Sequence, residues 1–102
     1  MILSKVKIDQ ADWEVVMGLD NDKTWAQPRR CRVPLASLRA IQDEVDLETV
    51  ERYSAHPNKY EPIVVILHPD GYYLIWDGHH RAHAQLYKGR KTVWADVYRG
   101  AV

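Results

Sequence analysis

The stretch LIWDGHHRAHA, residues 74–84, indicates how this chain folds and where its chemistry lies. Its apolar, β-prone start ends at Asp77 and Gly78, and two histidines and an arginine then begin a helix. The first backbone N–H groups of a helix have no partner within it, and the helix dipole adds about half a positive charge there. Gly78 lets the backbone approach an anion closely, and Arg81 can bind phosphate oxygens through paired hydrogen bonds. The stretch therefore predicts a phosphate or nucleotide site.

The predicted phosphate- and nucleotide-binding set consists of Gly78, His79, His80 and Arg81. Arg81 could instead be a structural arginine paired with a carboxylate, but its place in the first helical turn favours phosphate contact. His79 and His83 share a helix face and could bind zinc. The third zinc ligand would have to come from His68, His56 or Asp77, and no spacing points to one. Surface or phosphate-contacting histidines are therefore the favoured interpretation.

These residues also resemble a known family. Residues 77–81 (DGHHR) are similar to the signature of the ParB/sulfiredoxin superfamily, in the form carried by ParB-like proteins, including free serine kinases. Residues 33–38 (VPLASL) resemble the family's opening Val-Pro-Leu-x-x-Leu strand, and residues 62–65 (PIVV) resemble its Pro-Ile-x-Val strand. The three motifs occur in the family's order, and the similarity runs from about Arg32 to Tyr98.

The resemblance implies a small single-domain α+β fold, with a mixed sheet and helices packed around it. The ParB/sulfiredoxin-like domain is expected to cover residues 32–102, with residues 1–31 as an N-terminal extension packed on it. Hydrophobic patterning and turn residues predict strands at 30–35, 63–67, 72–76 and 93–98, and helices at 47–55 and 79–88. Helix and strand compete over residues 11–17, and residues 18–27 are predicted to be a polar loop.

The resemblance and the phosphate turn together imply a nucleotide-binding domain that catalyses nucleotide-dependent phosphoryl transfer or hydrolysis. Asp77 is the candidate to hold Mg²⁺, with ATP or CTP as the nucleotide, and to take part in catalysis; capping of the helix is an equally favoured alternative. In free serine kinases a glutamate after the Val-Pro-Leu strand is thought to act as base. That makes Glu44 and Asp43 candidates, although an acidic helix N-terminus that suits the dipole explains them equally well.

The alternative is a non-catalytic module that is switched by a nucleotide or contacts DNA, or a ParB-like nuclease. A closed acidic pocket beside Arg81 would favour a small acceptor. A basic groove would favour nucleic acid if it ran past Arg81, Lys88, Arg90 and Lys91. The arginines in residues 29–32 fit a solvated or salt-bridged sheet edge better than a DNA contact, with residues 43–48 supplying acidic partners.

Composition narrows these possibilities. The 102 residues include 14 basic and 14 acidic side chains, and a net charge of zero argues against a dedicated nucleic-acid binder without excluding a local basic patch.

Cys31 is the only cysteine, so no internal disulfide forms. Sulfiredoxins carry a cysteine where this chain has His79, so sulfinic-acid reductase activity is not expected. No signal-peptide core or membrane-spanning run is present, which predicts a cytoplasmic protein without a membrane partner. The oligomeric state is not predicted.

Overall fold

A computed structural model describes residues 8–42, 45–55 and 61–101. These residues form an α+β domain, which confirms the predicted fold class. The elements in chain order are α1 (Trp13–Met17), α2 (Asn21–Thr24), β1 (Arg29–Pro34), a 3-10 turn (Leu35–Ser37), β2 (Leu38–Arg39), α3 (Leu47–Ala55), β3 (Ile63–Leu67), β4 (Tyr73–Asp77), α4 (His79–Tyr87) and β5 (Thr92–Arg99).

The strands form one mixed sheet in the order β1-β5-β3-β4-β2. β3 lies in the middle, as its unbroken aliphatic sequence predicts, parallel to β5 and antiparallel to β4. β1 pairs antiparallel with β5 at one edge and ends at Pro34, where a missing N–H leaves the ladder intact. β2 pairs parallel with the end of β4 that lies away from α4. The predicted boundary between residues 31 and 32 falls inside β1.

Successive strand residues point to opposite sides of the sheet, and both sides are covered. On one side Ala82 of α4 packs in a buried cluster that includes Ile63 and Val65, and α3 packs on α4 through Val50 and Ala84. On the other side the segment that contains α1 and α2 covers Ile66 and Leu74, chiefly with the buried Leu19 and the partly buried Val16 and Trp25. The sheet is therefore the middle layer of three.

The predicted polar loop over residues 18–27 is wrong in part, because this stretch contains α2. The Asp20 side chain accepts a hydrogen bond from the Asp22 N–H at 3.1 Å, and the Thr24 hydroxyl donates to the Asp20 carbonyl at 2.7 Å. These local bonds begin a turn of helix that has too few apolar residues to show a period. Over residues 11–17, where helix and strand competed, the chain is helical at Trp13–Met17.

Within the arginine cluster at the start of β1, Arg30 forms a salt bridge at the sheet edge, as predicted, but with a different partner. The β1–β5 register places Arg30 opposite Asp96, and the Arg30 Nε donates to Asp96 Oδ1 at 2.8 Å. The carboxylate that pairs with Arg30 comes from β5 and not from the acidic stretch before α3, because pairing in the sheet decides which side chains meet. In the part of the chain described here, no helix is long and apolar enough to cross a bilayer.

Candidate functional site

The turn from β4 into α4 depends on Gly78. Its backbone is left-handed, with φ 101° and ψ 29°, and a Cβ atom there would lie only 2.6 Å from Ile63 Cγ2. Glycine meets both conditions without strain, so the helix begins directly against the start of β3. The first bond within α4 runs from the Ala82 N–H to the Gly78 carbonyl at 2.9 Å. The three amides before Ala82 therefore have no partner within the helix and form the anion-attracting end of α4.

The guanidinium of Arg81 fastens this turn to the residues that lead into β3. Its Nη1 donates to the carbonyl oxygens of Glu61 and Pro62 at 2.9 and 3.4 Å, and its Nη2 donates to Asp77 Oδ2 at 3.2 Å. The Arg81 side chain is 17% exposed, whereas that of Asp77 is 72% exposed. Arg81 is thus already engaged by the protein, as the structural alternative predicts, and a phosphate on this group would compete with Asp77.

Asp77 is the last residue of β4, and Gly78 takes the N-cap position of α4. The Asp77 carboxylate pairs with the Arg81 guanidinium, one helical turn further along the chain. Within the described chain no side chain caps α4 at Gly78. The capping alternative for Asp77 is therefore wrong, and its exposed carboxylate lies beside the turn where a phosphate would bind.

The histidines that follow Gly78 have structural partners. The ring of His79 is buried, and its Nε2 accepts a hydrogen bond from the Ile41 N–H at 3.1 Å. The Nε2 of His80 accepts one from the Asp46 N–H at 3.0 Å, and Asp46 in turn caps α3 by accepting from the Glu48 N–H at 3.3 Å. A phosphate could therefore accept a hydrogen bond from the backbone N–H of His79, whereas the Nε2 of the ring is already bonded to Ile41.

Burial keeps the inner histidines neutral. It lowers the pKa of His79 to about 4, helped by the nearby His83 and His80 and opposed by Asp77. Burial also lowers the pKa of His83, whose Nδ1 makes a 2.7 Å hydrogen bond with the His79 carbonyl. His79 and His83, the pair considered for the disfavoured zinc alternative, are both buried in the core, so neither is the surface histidine that was favoured. Across the described ranges, no three His, Cys, Asp or Glu side chains form a group that could hold a metal ion.

We predict that stability falls at acid pH because of His79. The unfolded state binds a proton at the ordinary histidine pKa of about 6.5. The folded state binds it only near 4. Stability is then constant above pH 6.5 and falls as the pH drops, by roughly 3 kcal/mol once the pH is below 4. Urea unfolding at pH 7.5 and pH 4.5 measures the change in the free energy of unfolding. Because carboxylates also titrate in this window, a control without the histidine is needed. His79→Gln, which keeps an acceptor and does not titrate, isolates the histidine; an equal pH dependence in the two proteins would contradict the assignment.

Two cavities meet at Arg81. The first, of about 390 Å³, lies over the turn and contains Asp77 and all four residues predicted to bind phosphate. Its wall also includes side chains that sequence reasoning missed, and these are Gln42, Tyr53, Glu61 and Trp76. Trp76 directly precedes Asp77 in sequence, whereas Gln42, Tyr53 and Glu61 come from other parts of the chain, so no spacing relates those three to the turn. The second cavity, of about 440 Å³, continues past Arg81 toward the starts of β3 and β5.

Two of the predicted catalytic residues lie outside the described residues. Asp43 and Glu44 follow Gln42, which lines the first cavity, and precede Val45, which is buried against α3 and α4. Their role as base stays a prediction, and His56, one of the three candidates for a third zinc ligand, also lies outside the described residues. Cys31 is half-buried on β1, and β5 and β3 separate β1 from the β4 strand that carries the turn.

The sequence matches no family model and none of the curated proteins. Among solved structures, sulfiredoxin from Arabidopsis thaliana is 25% identical over 72% of this chain and 88% of that chain, with a TM-score of 0.62. The chain belongs to the ParB/sulfiredoxin superfamily. A C-terminally truncated chromosome-partitioning protein ParB from Caulobacter crescentus, complexed with CTP-gamma-S, is 28% identical over 68% of this chain, with a TM-score of 0.57.

A third member of the superfamily shares the fold at lower identity. Free serine kinase in complex with AMP is 21% identical over 76% of this chain, with a TM-score of 0.59. The chain spans 43% of the ParB chain and 34% of the kinase chain. The superfamily therefore contains structures with bound nucleotides, and the shared region is the domain described here.

Proposed function

We propose that this domain binds a nucleoside phosphate at the Gly78 turn and promotes slow phosphoryl transfer or hydrolysis of it. The observation that carries the proposal is the first cavity, which gathers a left-handed glycine, the open end of α4, Arg81 and an exposed carboxylate. A free helix end with a basic side chain binds phosphate, and an adjacent carboxylate adds a way to hold a divalent ion. Structural relatives that hold CTP-gamma-S or AMP support the choice of ligand.

The first step at this site is an exchange of partners. In the free protein Asp77 occupies Arg81 Nη2. A phosphate oxygen is a stronger competitor because it also receives the helix-end amides. Arg81 keeps its bonds to the Glu61 and Pro62 carbonyls, so its guanidinium stays in position while Asp77 is released toward solvent.

The carboxylates of the first cavity suit Mg²⁺, which prefers oxygen ligands and binds with phosphates and one or two carboxylates. Asp77 would hold the ion, and Glu61 lines the same cavity. When bound, the ion would offset the charge of the phosphates beside these carboxylates. Asp43 or Glu44 would orient the acceptor as base. Two carboxylates facing a polyphosphate repel it without the ion, so strict dependence on a divalent cation is part of the proposal.

Arg81→Ala tests the proposal. Loss of a charge-assisted contact should weaken nucleotide affinity by roughly tenfold to a hundredfold. Calorimetric titration with ATP and CTP, each with and without magnesium, measures it. Since Arg81 also anchors residues 61 and 62, the variant should be less stable by about 1.5–3 kcal/mol. The titration is therefore carried out under conditions in which circular dichroism shows that the variant is folded.

Two further variants complete the Arg81 test. Arg90→Ala removes a cation that lines the second cavity and not the first, and this variant should bind nucleotide like the wild type. If Arg81→Ala does not fold, Arg81→Lys keeps the charge and loses the planar fork, and it should still bind more weakly. If a folded Arg81 variant binds nucleotide with wild-type affinity, this arginine has a structural role alone and the proposed phosphate site at the Gly78 turn is refuted.

A further inference from the structure

The charges of this chain are segregated although they sum to zero. Residues 8–22 contain five acidic side chains and no Lys or Arg, whereas residues 24–42 contain four arginines and no Asp or Glu. Residues 78–95 contain four Lys or Arg and again no acid. The β1–β5 pairing and the loop after α4 bring the two basic stretches together. A neutral composition therefore hides a local basic surface.

This basic surface is the second cavity. Its wall carries Arg32, Arg81, Arg90 and Lys91, and among its described lining residues only Glu61 is acidic. Arg81 is committed to Asp77 and two carbonyls, which leaves three exposed cations, of which Arg32 also donates to the Thr92 hydroxyl at 3.5 Å. Arg32 comes from β1, whereas Arg90 and Lys91 come from the loop after α4, so their convergence on one concave surface is a product of the fold.

An exposed indole lies among these cations. Trp94 is 49% exposed and occupies an outward position of β5, between the inward Val93 and Ala95. Arg32 is its register partner on β1, and the guanidinium carbon lies 4.8 Å from the ring centroid. Trp13 is more exposed, at 65%, but it lies in the acidic stretch. Trp94 therefore combines a half-exposed indole, which carries Arg32 over one face, with a phosphate-attracting environment.

We propose that the second cavity binds single-stranded nucleic acid, with a base stacked on Trp94 and phosphates on Arg32, Arg90 and Lys91. Cationic grooves with an exposed aromatic side chain bind single strands in this way. A duplex keeps its bases stacked inside, so only an unpaired base can reach the indole. A cavity of about 440 Å³ holds a unit about the size of one nucleotide. The proposal stands apart from nucleotide binding at Gly78, since the two sites share Arg81 but not Trp94 or Arg90.

The test is fluorescence anisotropy of a labelled thymidine dodecamer titrated with the full chain over a range of salt. Three phosphate contacts on a single strand give a log–log salt slope near −2, from roughly −0.7 for each contact. Trp94→Ala should weaken binding by about tenfold or more and leave the slope unchanged. Arg90→Ala with Lys91→Ala should reduce the slope by about 1.4, because two contacts are lost.

Matched controls come from the acidic side of the molecule. Trp13→Ala removes a more exposed indole and Lys23→Ala an exposed lysine, and both variants should bind the dodecamer like the wild type. Binding of ATP to Trp94→Ala, measured in parallel, reports on the Gly78 site and should not change. Any of three results would overturn the proposal. The dodecamer could fail to bind at low salt, or the Trp94 and Trp13 variants could lose the same amount of affinity for it. A 12-base-pair duplex that binds as tightly as the single strand would also do so.

Discussion

Gly78→Ala is expected to destabilise the protein by about 2–5 kcal/mol, the largest effect of any glycine substitution at a turn here. Two costs add at this position. A left-handed backbone costs a residue with a Cβ roughly 1–2 kcal/mol. The new Cβ would also lie 2.6 and 2.9 Å from Ile63 Cγ2 and Cβ, and Ile63 is buried at the start of β3. Relief of that contact requires movement of the strand or the helix, at typically 1–3 kcal/mol.

Gly71→Ala separates the two costs of the Gly78 substitution. Gly71 has nearly the same φ, 98°, but a Cβ added there would have no atom within 4 Å beyond its chain neighbours. The variant should therefore lose only the backbone contribution of about 1–2 kcal/mol. Urea unfolding of both variants gives the free energies. Equal losses would show that the contact with Ile63 relaxes freely and that the turn is not fixed against β3.

Asp77→Asn is expected to lower magnesium-dependent nucleotide turnover by about a hundredfold or more, while nucleotide binding is kept or becomes tighter. The amide keeps the shape but is a poor ligand for a hard cation, so the charge compensation that assists phosphoryl transfer is lost. The same change removes the negative charge that Asp77 holds beside Arg81, so that phosphate no longer competes with a carboxylate for the guanidinium. Because the Asp77 side chain is 72% exposed, its ion pair contributes little to stability.

Phosphate release by wild type and variant, followed with and without magnesium, measures the Asp77 effect, and titration measures affinity. Asp22→Asn removes an exposed carboxylate from α2, on the other side of the sheet, and should behave like the wild type. Full turnover in Asp77→Asn would remove Asp77 from the catalytic set. Absence of turnover in the wild type, with binding intact, would replace the enzyme by a nucleotide-binding module.

Much of the fold could be predicted from local sequence. The aliphatic run of β3, the helix that follows Asp46 and the glycine that follows α4 each carry their signal within a few residues. α2 and β2 escaped prediction because two to four residues are too short for a period. The superfamily assignment succeeded because its three motifs are themselves short and local.

The candidate site could be predicted only as far as the turn itself. Gly78 and Arg81 were identified because a strand, a glycine and a helix start are adjacent in sequence. Glu61 and Tyr53 were missed because they reach the cavity from elements that only the tertiary fold brings close. The ring of His79 was expected to face a ligand, but helix periodicity alone does not say which face of α4 is covered by the loop at Ile41.

The paired imidazoles of His79 and His80 have a consequence for how ligand binding is transmitted. Their acceptor nitrogens hold the amides of Ile41 and Asp46, so both ends of the intervening four residues are tied to the first turn of α4. Those four residues include Asp43 and Glu44. If phosphate binding displaced the first turn of α4, the displacement would act on the amides of Ile41 and Asp46 through both hydrogen bonds at once. The two tethers act on the same turn, so a double-mutant cycle on the two histidines should show strong coupling.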